Sequence, residues 1–490
     1  MATPVYIRQT RIGPLSFSTK LRQGIGAIPD TVKNWVFNTF VLLYYNQILG
    51  IDAFDVSLVL GIAVVFDAIT DPLIASLTDN AHTRWGRRHP FMLLASIPLG
   101  LGIYGVFVPP AGLSDLGLVL WLLFFVVLTR SLMTVFQVPW SAIAAELSDD
   151  YHERTSVMTY RFAVGWTVAV CFPVFVYSFV MPGTEEFPVA QLNPAGYPMM
   201  AFCAAVLLSC GALATTLLTL REIPYLRQHT EKRSFSLAQT IRDAVRALET
   251  RQFTLIFIIV LISSVISGTT RNIDIYMATF FWGLTTEDLR WFAIAAFGAV
   301  MAFPFVASVQ RRWDKKYILL FASVLSLFDG MVVICLRFLD VLPDNGDPWL
   351  LVILIGASTF AAAIAVIHGI IGASLIADIM DAHELRTGHR QEGMFNAALS
   401  FSGKATSGLG IVMGGFIISA IQFPTGISPA DVPAPMITKL GVVIGILVPL
   451  LHLIPIALIT RYKITREEHG RIRAALDARD KLAESGQHVA

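Results

Sequence analysis

Long apolar runs alternate with short polar segments along the whole chain. Each run extends for about 20 to 30 residues, the length that an α-helix needs to cross the hydrocarbon core of a bilayer. The pattern therefore predicts an all-α polytopic membrane protein with twelve transmembrane helices, numbered I to XII. Their predicted ranges are 29–49, 56–79, 90–108, 117–140, 159–181, 198–220, 253–282, 291–309, 317–339, 348–377, 393–421 and 436–460.

The loops between the runs differ in charge. Loops after odd-numbered helices are acidic or neutral, as with Asp52 after helix I, whereas loops after even-numbered helices are basic, as with Arg87 and Arg88 after helix II. Lys and Arg accumulate in loops that stay in the cytoplasm. Because an even number of helices returns the chain to its starting side, we expect both termini to be cytoplasmic and the protein to lie in the cell's inner (plasma) membrane.

Composition narrows the class of protein further. Of the 490 residues, 55% are hydrophobic and only 14% are charged, whereas soluble domains carry about 25% charged residues. This excludes a soluble multidomain enzyme, and the net charge of +1 gives no reason to expect nucleic-acid binding. The sequence contains no zinc-type histidine spacing, phosphate loop or nucleophile elbow. We therefore expect no enzyme activity and no cofactor.

Two segments of the first half recur at equivalent places in the second. Residues 84–88 after helix II match 312–316 after helix VIII, and 145–155 after helix IV match 377–387 after helix X. An offset of six helices predicts two six-helix bundles related by a parallel pseudo-two-fold repeat. The predicted domains are a bundle at 1–220, a cytoplasmic linker with an amphipathic helix at 221–252, a bundle at 253–460 and a cytoplasmic tail at 461–490.

Three segments, 66–90, 138–161 and 377–404, resemble the major facilitator superfamily. More narrowly, they are similar to the glycoside–pentoside–hexuronide:cation symporter family, of the melibiose permease type. The resemblance implies the major facilitator fold and symport of a glycoside, hexuronide or related organic solute by alternating access, driven by a proton or a sodium ion. It also implies a small-molecule partner within the lipid bilayer, and we expect a functional monomer.

Two carboxylates lie near the middle of helix II. Asp67 and Asp71 are four residues apart and share one face. Each costs about 2.5–3.5 kcal/mol there by insertion scales, and a proton or a hard cation would neutralise the pair. Thr70 offers a nearby hydroxyl, and Pro72 leaves the carbonyl of Ala68 without its helical partner. The resemblance implies a cation site at both aspartates. The alternative is a structural pair bonded to basic residues of neighbouring helices.

Further site residues are implied by the resemblance, with departures from the family pattern. Gln137 stands where the family has an acid on helix IV, so it would add a carbonyl ligand without charge. Asp30 precedes Thr31, which aligns with a sugar-binding aspartate of helix I. Trp140 precedes Ser141, which aligns with a sugar-stacking tryptophan. The missing acid at position 137 favours a proton over sodium as the coupling ion.

Basic residues point to the substrate. The resemblance implies Arg161 and Lys404 as substrate contacts, and Arg130 and Lys33 also lie deep in apolar runs. An unpaired basic side chain near the midplane costs a few kcal/mol, and a carboxylated solute would compensate it. We therefore expect a substrate with negative charge or many acceptor oxygens. The alternative is that Arg130 pairs with an acid on another helix.

The basic loops are also predicted to form a cytoplasmic gate. We expect the arginines after helix II to pair with acids that end helices II and IV, including Asp79 and Asp150. We expect Arg386 to pair with acids that end helix X. The basic loops could instead serve only to set topology. The predicted gate residues are Arg84, Arg87, Arg88, Asp149, Arg154, Asp381, Glu384 and Arg386.

Other functions of the same fold stay open. A lysophospholipid carrier, or a carrier of another amphipathic anion, would have the same pattern in helices II and V. A non-transporting sensor is less expected, because it should lack a coherent set of charges inside the membrane. A membrane-embedded enzyme would need catalytic residues clustered at one membrane face, and the sequence contains no such cluster.

Overall fold

The computed structural model describes residues 13–81, 83–148, 150–226, 251–387 and 392–484, together with Arg242 and Leu248. This part of the chain is helical and contains no β-strand. The helices are α1 (Phe17–Ile25), α2 (Ala27–Val36), α3 (Ala53–Asn80), α4 (His89–Phe107), α5 (Asp115–Glu146), α6 (Tyr151–Phe175), α7 (Gly196–Thr219), α8 (Arg251–Tyr276), α9 (Thr286–Leu289), α10 (Ala296–Val309), α11 (Lys315–Phe338), α12 (Pro348–Thr387), α13 (Glu392–Ala420), α14 (Ala434–Val442), α15 (Val448–Leu450), α16 (Leu453–Thr460) and α17 (Arg466–Glu484).

Ten helical segments of this described part are long and apolar enough to cross a membrane. Predicted helix I corresponds to α2, which continues through π-helical turns at Phe37–Val41 and Tyr44–Ile48. Predicted helix XI corresponds to α13, whose apolar part Thr406–Ala420 is shorter. Each of the twelve predicted spans therefore has a helical counterpart, and the predicted fold class is confirmed.

Polar side chains start several of the long helices. Asp52 accepts a hydrogen bond from the amide of Phe54 at 2.8 Å where α3 begins. Asp150 accepts one from the amide of Glu153 at 2.8 Å where α6 begins. Such a side chain satisfies an amide that the first helical turn leaves without a partner. The loop residues therefore fix where these spans begin.

Two helices extend beyond their predicted apolar spans. Helix α12 continues to Thr387, ten residues past the predicted end at 377, and α6 begins at Tyr151 rather than 159. The prediction placed the ends where hydrophobicity falls. A helix needs no apolar side chains outside the bilayer, and the polar extension of α12 instead carries ion pairs.

The backbone groups into two compact units, each with its own core. In unit 1, α4 packs on α5 and α7, and α3 packs on α5. In unit 2, α12 packs on α10 and α11, and α17 adds Ile472 and Leu476 to the core. Unit 1 comprises Met1–Phe235, Thr269–Ala293 and Gly408–Ile437, and unit 2 comprises Ser236–Gly268, Ile294–Ser407 and Thr438–Ala490.

The predicted division of the chain into halves stays a prediction. Unit 1 contains segments of α8 and α13 as well as the first seven helices. The predicted amphipathic helix of the linker lies outside the described residues. The predicted tail contains the helix α17.

Within unit 1, segments of α8 and α13 pack against the first-half helices at the end that carries the acidic loops. The hydroxyl of Tyr276 donates to Asn46 Oδ1 at 2.8 Å. Gly415 on α13 lies so close to α3 that an added Cβ would stand 2.2 Å from the carbonyl oxygen of Ala53. This end of unit 1 is therefore closed by direct helix contact.

Candidate cation and substrate site

Asp67 and Asp71 project from one face of α3 and meet two residues of α5. Asp67 Oδ2 accepts a hydrogen bond from Arg130 Nη1 at 2.5 Å, and each of these two side chains is 13% exposed. Asp71 Oδ1 accepts one from the hydroxyl of Thr134 at 2.9 Å. Because Arg130 and Thr134 are also four residues apart, one face of α5 supplies a partner to each carboxylate.

The ion pair matches the alternative in which Arg130 pairs with an acid on another helix, and a contact of Arg130 with substrate stays a prediction. In this structure, Asp67 on α3 neutralises the charge of Arg130. Its guanidinium also lies 5.9 Å from the ring centroid of Phe37. Asp67 Oδ1 is buried and accepts no hydrogen bond from the described residues. One oxygen of the carboxylate is thus available to a further ligand.

The other two predicted cation ligands, Thr70 and Gln137, lie on the same two helices, α3 and α5. The hydroxyl of Thr70 donates to the carbonyl of Asp67 at 3.4 Å, so it is committed to the backbone in this structure. Gln137 is half-buried on α5, seven residues after Arg130 and on nearly the same face. Among the described residues, no group of three or more His, Cys, Asp or Glu could hold a metal ion.

Arg161 on α6 stacks on Trp140 of α5. Its guanidinium carbon lies 3.6 Å from the Trp140 ring centroid, and Nη2 donates to Ser141 Oγ at 3.1 Å. Trp140 itself is only 3% exposed, and its indole N–H donates to the carbonyl of Gln23 at 2.9 Å. The predicted substrate contact of Trp140 is corrected accordingly: its ring supports Arg161, which is half-buried and covers it.

The remaining predicted substrate residues differ in their surroundings. Lys33 is buried and forms an ion pair with Asp30 at 3.3 Å. Like Arg130, this basic residue of the apolar runs therefore has a carboxylate partner. Lys404 is half-buried on α13. Of the predicted substrate cations, Arg161 stacks on an uncharged ring, and its contact with substrate stays a prediction.

The arginines after α3 form a compact ion-pair network. Arg88 Nη1 lies 2.8 Å from Glu146 Oε2, and Arg87 also pairs with Glu146. Asp79, one of the predicted partners, lies 3.5 Å from Arg87 and 3.3 Å from Arg88. Burial, together with the charge of Arg88, lowers the pKa of the Arg87 guanidinium, and Glu146 and Asp79 oppose that shift. The sequence interpretation overlooked Glu146, although it occupies the acidic position of the repeated 145–155 segment.

Other predicted gate residues make local contacts. Arg84 lies over the ring of its neighbour Trp85, 5.2 Å from the centroid. Arg154 donates from Nε to the carbonyl of Ser148 at 2.8 Å. Asp149 lies outside the described residues. The predicted partner Asp150 instead caps the start of α6.

The two halves repeat one ion pair. Arg87 corresponds to Lys315 in the repeated loop, and Glu146 corresponds to Asp378. Lys315 Nζ lies 2.7 Å from Asp378 Oδ1, in the same way that Arg87 meets Glu146. Both pairs tie the loop after the second helix of a half to the end of the fourth. The two halves therefore share an equivalent ion pair as well as a similar sequence.

Two of the acids that end α12 pair with residues of α17. Asp381 lies 3.1 Å from His469 Nε2, and Glu384 lies 2.6 Å from Arg479 Nη2. Helix α12 remains helical to Thr387, so these acids lie on a helix that packs against α17, and the expected pairing of Arg386 with them stays a prediction. Each ion pair described here joins helices of a single unit. Their role as a gate stays a prediction.

Comparisons with known proteins agree with this architecture. A family model described as MFS/sugar transport protein matches residues 22–466. An uncharacterized symporter from Synechocystis sp. is 25% identical over 95% of this chain and 98% of its own. The sodium-dependent lysophosphatidylcholine symporter 1 of Mus musculus is 32% identical over 31% of this chain and 29% of its own. A crystal structure of the nucleoside transporter NupG has the same fold, with a TM-score of 0.60 at 12% identity, covering 91% of this chain and 100% of its own.

Proposed function

The chain belongs to the MFS/sugar transport protein family, and we propose that it is a cation-coupled symporter of an organic solute that works by alternating access. The observation that carries this proposal is the charge set between α3 and α5, in which Arg130 holds Asp67 and Thr134 holds Asp71. Charged side chains inside the membrane are expensive and mark ion and substrate paths. We infer transport rather than catalysis from this set.

Asp67 is the point at which the coupling ion and Arg130 compete. A proton or metal cation on Asp67 would cancel the carboxylate charge, and Arg130 would lose its partner. A guanidinium without a partner near the midplane is costly, and it can bind a carboxylate through two hydrogen bonds. Cation binding would therefore prepare Arg130 to bind an anionic solute, and this exchange would couple the two fluxes.

We propose a hexuronide or another carboxylated, oxygen-rich solute as the substrate. Arg130 and Arg161 would contact its anionic and polar groups, with Asp30 and Lys404 as further contacts. The stack on Trp140 fixes the plane of the Arg161 guanidinium, which supports bidentate recognition of a planar group.

The test compares Arg130→Lys and Arg130→Gln for binding of a charged solute and its neutral analogue. We expect both changes to lower the affinity for the charged solute selectively. Arg130→Lys should lower it by less than Arg130→Gln, because lysine keeps the positive charge and loses only the bidentate hydrogen bonds of the guanidinium. The solute for this comparison is identified beforehand, by measuring which of a panel of sugars, glycosides, uronates and lysolipids raises the Tm of the purified protein, with and without sodium. Equal losses for the charged and the neutral solute would assign Arg130 a structural role and remove the anion proposal.

We propose the proton as the coupling ion. Asp67 and Arg130 cancel each other and Gln137 is neutral, which reduces the negative charge that would attract sodium. Sodium is the alternative, supported by relatives named as sodium-dependent lysophosphatidylcholine symporters. Uptake at fixed pH with sodium replaced by choline separates the two, and a large sodium requirement would refute the proton.

The same relatives support a second substrate class. A lysophospholipid carries a phosphate that Arg130 or Arg161 could bind, and an acyl chain that the membrane could hold. Stabilisation by lysolipids alone, with none by uronates, would favour this alternative. For either substrate we propose a functional monomer in the inner (plasma) membrane with both termini cytoplasmic, as the basic loops support.

A further inference from the structure

An apolar groove runs along unit 2 between α10 and α11, with α12 as its floor. Its cavity volume is about 1240 Å³, above the range of roughly 300–1,000 Å³ that small-molecule pockets occupy. Met301 and Phe321 line its walls and are 68% and 52% exposed. Because α10, α11 and α12 belong to predicted spans, we infer that the apolar surface exposed along this groove faces lipid.

A glycine on α12 leaves open space at the base of the groove. Gly356 lines the groove on α12, and a Cβ added there would meet no atom within 4 Å. Further down α12, Phe360 and Ile364 continue the apolar floor. The groove is thus long, apolar and unfilled by side chains of the described residues.

Only one end of the groove is charged. Arg311 and Arg312 lie in the basic loop between α10 and α11, next to Trp313, and all three line the groove. Their side chains are exposed, and neither guanidinium pairs with an acid among the described residues. Tryptophan prefers the membrane–water interface, so this end lies at headgroup depth on the side of the basic loops.

We propose that this groove binds one anionic diacyl glycerophospholipid from the leaflet on the basic-loop side. The acyl chains lie along the apolar walls, and the phosphate meets Arg311 and Arg312. Charge complementarity selects the headgroup, because basic residues between transmembrane helices attract anionic lipids near the surface. Among the described residues, no carboxylate lines the groove. The cavity volume favours two chains over the single chain of a lysolipid.

Lipid titration of the purified full-length protein tests the proposal, with native mass spectrometry as the readout. The probes are dioleoyl phosphatidylglycerol, dioleoyl phosphatidylcholine with the same chains, and glycerol 3-phosphate as the free headgroup. The wild-type protein should bind phosphatidylglycerol roughly tenfold more tightly than phosphatidylcholine. Equal affinity for the two lipids, or binding of glycerol 3-phosphate as tight as that of phosphatidylglycerol, would overturn it.

Two variants locate the site. Arg311→Gln with Arg312→Gln should remove the preference for phosphatidylglycerol and leave phosphatidylcholine binding unchanged. Arg84→Gln is the matched control, because Arg84 is the counterpart of Arg312 in the first half of the repeat. An unchanged preference in the double variant would exclude the two arginines and the proposal.

The second variant fills the floor. Gly356→Leu should weaken both lipids about tenfold, because the leucine occupies chain volume without striking protein atoms. Gly369→Leu is the control, since Gly369 also has open space on α12 and does not line the groove. Lipid affinities that Gly356→Leu leaves unchanged would show that the lipids bind elsewhere.

Discussion

Asp67 forms an ion pair with Arg130, whereas Asp71 accepts a hydrogen bond from the hydroxyl of Thr134. Substitutions at the two positions should therefore lower the stability of the protein by different amounts. Asp67→Asn and Asp71→Asn should both reduce uphill uptake to background, because neither amide can take up the coupling cation. Breaking a buried ion pair costs about 3–5 kcal/mol, whereas losing a hydrogen bond from a hydroxyl to a carboxylate costs about 1.5–3 kcal/mol. Asp67→Asn should therefore lower Tm by more than Asp71→Asn does.

A double variant separates stability from coupling at this site. Asp67→Asn combined with Arg130→Gln removes both charges and should recover much of the lost Tm, while uphill uptake stays at background. The measurements are thermal unfolding in detergent and concentrative uptake into proteoliposomes. Full concentrative uptake by both single variants would show that these carboxylates do not bind the coupling ion.

For single residues, the sequence predicts which side chains share a helix face, but it does not predict which side chains of other helices they contact. The spacing of Asp67 and Asp71 predicts one shared face, and the structure has it. Thr134 was overlooked because a lone hydroxyl on an apolar helix gives no periodic signal. The resemblance implies Trp140 as a substrate contact, but only the packing of α5 on α6 shows that Arg161 covers its ring.

At the scale of elements, we expect α17 to stabilise unit 2 mainly through the apolar side chains that it buries there. Leu476 is 3% exposed in the core of that unit, whereas Arg479, which meets Glu384, has a side chain that is 38% exposed. Leu476→Ala should cost about 2–5 kcal/mol, and Arg479→Ala should cost less, because the Arg479 side chain remains 38% exposed in the folded protein. Thermal unfolding in detergent measures both.

The control for Leu476→Ala is Arg471→Ala on the same helix, whose side chain is 71% exposed. It should leave Tm close to that of the wild type. Equal Tm losses for the two variants would mean that α17 contributes nothing through its buried face.

Close helix packing holds the acidic-loop end of unit 1 closed. A Cβ at Gly415 would stand 2.2 Å from the carbonyl of Ala53 and from Ser57 Oγ, so Gly415→Val must move α13 away from α3. We expect this change to raise labelling of a cysteine placed at Asn46, now 2% exposed, by a membrane-impermeant maleimide. The expected increase is severalfold in initial rate.

Gly403→Val is the control for this prediction, since Gly403 lies on the same helix and its added Cβ meets no atom within 4 Å. Its labelling rate should match that of the parent protein with the same cysteine. Matching rates for Gly415→Val and Gly403→Val would show that α13 does not hold this end closed.

For the whole molecule, hydropathy alone predicts the number and order of spans, because a helix must cover the thickness of the bilayer. The internal repeat also predicts that equivalent loops make equivalent contacts, as Lys315 with Asp378 and Arg87 with Glu146 do. The partners of Asp381 and Glu384 could not be predicted, because α17 lies about 90 residues further along the chain and no local pattern links the two helices.

The exchange at Asp67 makes a prediction about charge for the whole transport cycle. One proton entering with one monoanionic solute moves no net charge, since the proton on Asp67 cancels the anion on Arg130. Uptake of the anion into proteoliposomes should then follow a pH gradient and ignore a membrane potential. For a cycle that moves one net charge, 100 mV is worth about 2.3 kcal/mol, or roughly a 50-fold change in accumulation. A potassium–valinomycin potential at equal pH on both sides measures this directly. Accumulation of the anion driven by that potential alone would contradict the one-to-one exchange, whereas a neutral analogue that still couples to the proton should respond to the potential.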